Sequence, residues 1–202
     1  MSDNQAHAQR YPGRPEGLRS ERRVALLEVD RVVALSLEDL DAGSVLDVGT
    51  GTGIFAEAFA KRGLTMAGID ANGEMLLVAR QHVPQGDFRE APAEALPFAD
   101  GAFDLVFLGL VLHEADSALD TLKEARRVAR LRVVVLEWPH EPDRPGPLPH
   151  HRLPAGAVED LAARAEYASV EVFRLSHTDC YRLVPRLPTR SGSLQAERGQ
   201  SG

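Results

Sequence analysis

Three alternating glycines, Gly49, Gly51 and Gly53, follow directly on the short apolar run Val45-Leu46-Asp47-Val48, and a helix-forming segment comes next. Glycine at every second position removes the side chains that would hold a ligand away from the backbone. It also tolerates the positive φ of a tight turn. A helix that begins there aims its free amide groups and its positive dipole end at whatever occupies the turn. Such a loop is built for a nucleotide-like ligand.

Two ligand chemistries fit a glycine turn after the first strand of a sheet. Dinucleotide-binding turns read G-x-G-x-x-G, with a third glycine that allows close packing of helix on strand. Here Ile54 takes that place and the glycines read G-x-G-x-G. Asp47 separates the two chemistries further, because a carboxylate two residues before the first glycine crowds a pyrophosphate with like charge and suits a cation. S-adenosyl-L-methionine carries a sulfonium and an ammonium, so charge favours it over a nicotinamide dinucleotide. Asp70 ends the next apolar run, where its oxygens can accept from both hydroxyls of a ribose at about 1.5–3 kcal/mol per bond. Alone, Asp70 reads equally as a helix cap; with the glycine turn upstream, ribose binding is the better reading.

The elements that must position these residues follow a repeating pattern. Apolar residues at helical spacing predict one helix over residues 21–37, followed by a turn at 41–44. Strands are expected at 45–48, 65–69, 88–91, 103–108 and 132–138, alternating with helices at 54–62, 72–82 and 117–128. Gly63 stops the first of those helices, and Ser117-x-x-Asp120 reads as a capping box for the last. The runs at 103–108 and 133–136 are nearly continuously apolar, as parallel strands covered on both faces should be. A helix at 155–165 and strands at 170–175 and 180–184 complete the chain. The link between those last strands is too short for a crossover, so they should pair antiparallel. The fold class expected is α/β: a Rossmann-like, doubly wound, mostly parallel seven-stranded sheet with an antiparallel C-terminal strand and helices on both faces. Residues 19–185 would form one domain, with a flexible arm over 1–18 and a flexible tail over 186–202.

The chain has 202 residues, 44% apolar and 26% charged, with a net charge of −7. An acidic chain lacks the field that drives binding to phosphate backbones, so nucleic acid is a poor candidate partner. The basic clusters at Arg10, Arg14, Arg19, Arg22 and Arg23 and at Arg186, Arg190 and Arg198 read as solvated ends. A single cysteine, Cys180, excludes an internal disulfide, and no apolar run approaches membrane-spanning length. A soluble cytoplasmic protein is expected.

In VLDVGTGTG (45–53), GID (68–70), AEALPFADGAFDLVFLGLVLHE (93–114) and RVVVLEW (132–138) the sequence resembles the class I S-adenosylmethionine-dependent methyltransferases, particularly the small ubiquinone/menaquinone-biosynthesis type. The resemblance spans about residues 45–138. It implies that Gly49, Thr50, Gly51 and Gly53 lie along the methionine and sugar of S-adenosyl-L-methionine, with Asp47 near its ammonium. It further implies that Asp70 holds the ribose diol, that Ala71 and Met75 flank the adenine, and that Leu110 offers main-chain groups to the amino-acid end. Ala93 and Glu94 fall in the segment that meets the adenine, but Pro92 stands where the family commonly has an acid. The Pro-Gly-Gly turn usual before strand five is missing as well, replaced by the arginine-rich stretch 126–132.

Methyl transfer is an in-line displacement at an activated carbon, so alignment and exclusion of water carry most of the catalysis. A base is needed only when the acceptor arrives protonated. His113, at the carboxyl end of strand four, is the best candidate base, with Glu114 beside it and Glu137 at the end of strand five; a role in shaping the pocket is the competing reading for His113. His140, Glu141, Asp143, His150 and His151 crowd a proline-rich loop, yet none has helical ligand spacing and no cysteine joins them, so no metal site is expected. Trp138 is a candidate wall for the acceptor, and Cys180 a core residue. The reading is therefore an S-adenosyl-L-methionine-dependent methyltransferase acting on a small-molecule acceptor and releasing S-adenosyl-L-homocysteine. A dinucleotide-dependent oxidoreductase and a non-catalytic S-adenosylmethionine-binding module are the alternatives.

Overall fold

The computed structural model describes residues 15–186. Its seven strands are β1 (Ser44–Val48), β2 (Thr65–Asp70), β3 (Asp87–Glu90), β4 (Phe103–Gly109), β5 (Ala129–Glu137), β6 (Tyr167–Arg174) and β7 (Asp179–Pro185). They form one sheet in the order β3-β2-β1-β4-β5-β7-β6. β1 to β5 run parallel, and β7 is antiparallel to both β5 and β6. This is the doubly wound architecture expected, with the antiparallel strand inserted between β5 and β6.

Helices cover both faces, and the strand pleat assigns each residue its layer. Val45, Leu105, Phe107, Val134 and Leu136 face α3 (Val29–Leu37), α4 (Ile54–Ala60) and α5 (Gly73–His82). Leu46, Val48, Val106, Leu108, Val133 and Val135 face α6 (Ala118–Val128) and α7 (Ala157–Arg164). Because neighbours along a strand point to opposite, equally covered faces, β4 and β5 carry no polar alternation. Phe107 anchors the first layer, its ring centroid 4.6 Å from that of Phe55 and 5.5 Å from that of Phe59.

Three local features differ from the sequence expectation. The single helix over 21–37 is two, α2 (Glu21–Leu26) and α3, broken where Glu28 adopts a left-handed φ of 47°. The Glu28 carboxylate there accepts from Arg31 of α3 at 3.0 Å and from the distant Ser176 amide at 2.8 Å, which fixes the break against the rest of the domain. Residues 15–18, expected within the flexible arm, form a helical turn, α1 (Pro15–Leu18). β5 starts at Ala129, directly after α6 ends at Val128, so the missing Pro-Gly-Gly turn leaves no loop at all. The register of β4 against β5 shifts between Phe103 and Leu105 to absorb the abrupt junction. The rest of the expected arm, residues 1–14, and residues 187–202 of the tail lie outside the described residues. Among the described residues no helix is long and apolar enough to cross a membrane.

Asp104 ties the amino ends of three central strands together. One of its oxygens accepts from the Gly43 amide (3.0 Å), the Ser44 amide (3.1 Å) and the Ser44 hydroxyl (3.0 Å), and the other from Arg130 (3.0 Å to Nε). Burial works against the charged carboxylate, but these donors outweigh it and hold its pKa below the usual carboxylate value. Its stabilising effect is therefore present above the unfolded pKa and lost as pH falls through the lower folded value. Asp104→Ala should lower the unfolding free energy measured in urea at pH 7 by about 2–4 kcal/mol, with the gap to wild type closing toward pH 3.

Candidate functional site

The strand order reverses between β1 and β4, and the segments leaving those strands depart to opposite faces, α4 to one layer and α6 to the other. Ligands of open α/β sheets bind in the crevice such a reversal opens. Here it holds a cavity of about 960 Å³, at the upper end of the range of about 300–1,000 Å³ for small-molecule sites. The cavity runs from Asp70, Met75 and Ala93 at one end to His113 and Trp138 at the other.

The glycine turn forms one wall. Gly49, Gly51 and Gly53 have φ of 67°, 53° and 76°, all left-handed. Two of the three also permit a close approach. A Cβ on Gly49 would sit 2.6 Å from Val111 Cγ2, and one on Gly53 would sit 3.0 Å from the Ala79 Cβ of α5. The Thr50 amide donates to the Ile69 carbonyl at 2.9 Å, holding the turn against β2.

Asp47 lies beneath this turn, 2% exposed, and accepts from the Thr50 hydroxyl at 2.7 Å. Burial pushes its carboxyl up to about 7; the Thr50 bond and the Ala56 amide pull the other way, and the nearby Asp70 charge adds to the rise. Asp47 and Thr50 thus back the turn, Gly53 caps α4, and Gly49 and Gly51 face the cavity.

Asp70 stands at the rim with both oxygens fixed. Oδ2 accepts from the Gly51 amide and Oδ1 from the Asn72 amide, each at 2.8 Å. Each carboxylate oxygen can accept more than one hydrogen bond, so a vicinal diol reaching the rim could share this group. Ala71 and Met75 line the same end, with Glu90, Pro92 and Ala93 across from them. Glu94 lines the cavity too, and its carboxylate also accepts from the Ser117 amide at 3.1 Å, anchoring the start of α6. Pro92 offers the cavity neither an acid nor an N–H.

At the other end, Leu110 turns the chain out of β4 with a φ of 62°, while its amide reaches the Leu136 carbonyl at 2.8 Å. A side chain at such a φ costs about 1–2 kcal/mol, and the turn brings His113 over the end of β5. His113 Nδ1 lies 2.9 Å from Glu137 Oε2 and 3.1 Å from Oε1, and Nε2 lies 3.6 Å from Glu114. The Glu137 carboxylate, 2% exposed, also takes the amides of His113 (3.3 Å) and Trp138 (3.2 Å). Burial disfavours a charged imidazole, but Glu137 and then Glu114 outweigh it, so the pKa of His113 is raised above 6.5. Expected separately, His113 and Glu137 meet as a dyad.

The proline-rich loop supplies the remaining wall through Pro145, Gly146 and Pro147. Gly146 lies so close to the Trp138 indole that a Cβ there would be 2.7 Å from Cδ2. The buried Arg152 holds this loop by donating to the carbonyls of Pro139 (2.9 Å), Glu141 (2.7 Å), Arg144 (2.7 Å) and Pro147 (2.8 Å). His150 and His151 of the same loop have ring centroids 4.3 Å apart with their planes tilted by 59°. Leu18, expected in the flexible arm, and Arg23, expected to be a solvated charge, also line the cavity, together with Leu26 of the helix expected over 21–37.

Residues 46–135 match the family model described as methyltransferase domain. The demethylmenaquinone methyltransferase of Renibacterium salmoninarum is 36% identical over 121 residues, covering 59% of this chain and 49% of the relative. The ubiquinone/menaquinone biosynthesis C-methyltransferase of Geotalea daltonii is 36% identical over 107 residues, covering 48% of this chain and 46% of that protein. The chain thus spans about half the length of these curated relatives. A crystal structure of a SAM-dependent methyltransferase from Aquifex aeolicus superposes with a TM-score of 0.72 at 23% identity, over 85% of this chain and 97% of the other. The glycine turn on its buried aspartate, the strand order and these comparisons agree: over residues 46–135 the chain is similar to methyltransferase domains, among them those of ubiquinone/menaquinone biosynthesis, and it shares the fold of a solved methyltransferase.

Proposed function

We propose that this chain, as a single domain over residues 19–185, binds S-adenosyl-L-methionine and transfers its methyl group to a small-molecule acceptor, releasing S-adenosyl-L-homocysteine. The observation that carries this reading is Asp70. Its two oxygens are clamped by the Gly51 and Asn72 amides at the rim of a cavity that extends to a buried His–Glu dyad. The cradle fits the cofactor: a diol acceptor at Asp70, a turn with no room for side chains at Gly49, and the Asp47 carboxylate beneath. The same Asp47 disfavours a dinucleotide, whose pyrophosphate would meet a carboxylate.

When bound, the cofactor supplies a methyl group on a positively charged sulfur. The chain's own residues then have three tasks. Gly49, Gly51 and Leu110 would line the amino-acid and sugar portion, Asp70 the diol, and Ala71, Met75 and Ala93 the adenine. Trp138, Pro145 and Pro147 would close an apolar wall around the acceptor and exclude water. His113 would take the acceptor's proton at Nε2, while Glu137 fixes Nδ1 as the protonated nitrogen and stabilises the resulting imidazolium. The names of the sequence relatives favour a quinone-type ring over nucleic acid as acceptor, and an apolar wall beside a base suits a reduced, hydroxyl-bearing ring. The cytoplasm is the proposed compartment, in keeping with one buried thiol.

Calorimetry should detect binding of S-adenosyl-L-homocysteine, weakened about tenfold or more by Asp70→Ala; unchanged affinity in that variant would remove the ribose assignment. The dyad makes a separate prediction. With its pKa raised, His113 is a base only at higher pH, so kcat/KM should rise with pH through a midpoint above 6.5. Glu137→Gln should move that midpoint downward, and His113→Gln should cost about 10²–10⁴-fold in kcat. Histidine NMR titration gives the same pKa without turnover. Stability linked to His113 should be fully present below the unfolded value and lost as pH rises through the raised folded one.

A further inference from the structure

The N-terminal helices divide into an anchored part and an unanchored one. α3 buries Val29, Val32, Val33 and Ser36, whereas α2 buries no residue. Between them Glu28 takes its left-handed conformation, which disfavours a side chain. The Ser176 and Arg31 bonds fix Glu28 to the body of the domain. Residues ahead of that point reach back over the cavity. Leu18 lies over the turn, 3.8 Å from where a Cβ on Gly51 would be, and Arg23 and Leu26 line the cavity beside it.

Arg19 fastens this segment to the glycine turn. Its Nη1 donates to the Thr52 carbonyl, within the turn, at 2.7 Å. Its Nη2 pairs with the Glu57 carboxylate in the first turn of α4. Glu57 also receives Lys61 at 2.7 Å and has His82 Nδ1 at 3.7 Å, so its carboxylate is held in place for the arginine. A planar guanidinium can span a carbonyl and a carboxylate at once; an ammonium engages them less well.

We propose that residues 15–26 form a cover over the glycine turn, hinged at Glu28, and that Arg19 is the positioning residue that holds the cover shut and so gates exchange of the nucleoside cofactor. The gating rests on the S-adenosylmethionine reading above; the latch does not.

Hydrogen exchange on the full ligand-free chain tests the latch. In Arg19→Gln, the amides of residues 20–26 should exchange about tenfold faster than in wild type, with those of α3 unchanged. Arg19→Lys should fall between the two, and Val24→Ala, on the same helix but away from the latch, should match wild type. Stopped-flow binding of S-adenosyl-L-homocysteine then tests the gate. A cover that must open in both directions predicts that association and dissociation both accelerate by about tenfold in Arg19→Gln while Kd stays within about threefold. Unchanged exchange, or equal acceleration across α2 and α3, overturns the latch. A change in dissociation alone makes Arg19 a ligand contact and overturns the gate. If wild type does not bind the nucleoside, the cofactor reading fails, and the exchange result still decides the latch.

Discussion

A carboxylate buried at the end of the first strand sets the terms for this site. Among the described residues Asp47 has no cation paired with it; it has the Thr50 hydroxyl, a backbone amide and a roof of three left-handed glycines. Burying a charge without a counter-charge is costly, and the cost appears as a pKa pushed up to about 7. A cation brought to the turn would relieve that cost, whereas a phosphate would add to it. The sheet places this group at the reversal point between β1 and β4, where two chain segments diverge and leave a crevice.

The rest of the cavity extends outward from that turn. Gly49 has no Cβ, and Val111 fills the space where one would stand, so the segment after β4 closes directly on the turn. The left-handed Leu110 then carries the chain to His113, and β5 delivers Glu137 to meet it. Each step is a local backbone constraint, and together they put Asp70 and the His113–Glu137 dyad on one cavity. Arg152 and Arg19 secure the two flanking walls through main-chain carbonyls of the segments they hold.

Much of this was legible in the sequence because periodicity and glycine chemistry are local. The α/β alternation, the covered strands β4 and β5, the Ser117 cap and the glycine turn followed by Asp70 needed no tertiary knowledge, while Leu110 was reached only through the family resemblance. What the sequence did not reveal depends on contacts between distant segments. The break at Glu28 is fixed by Ser176, the dyad joins His113 to Glu137, and Arg19 binds across to Thr52 and Glu57. Arg19 looked like a solvated charge because nothing local announces its partners at Thr52 and Glu57. The histidines of the proline-rich loop showed no ligand spacing, and the residue that organises that loop, Arg152, carried no motif at all.

Calorimetric titration at pH 8, where Asp47 is ionised, with S-adenosyl-L-methionine and with NADH, in wild type and in Asp47→Asn, tests the central claim most directly. A turn built on a buried carboxylate for a cationic nucleoside predicts that wild type binds S-adenosyl-L-methionine and not NADH. It also predicts that the substitution weakens S-adenosyl-L-methionine by about tenfold. Binding of NADH by wild type, or affinity for S-adenosyl-L-methionine that ignores Asp47, would contradict it.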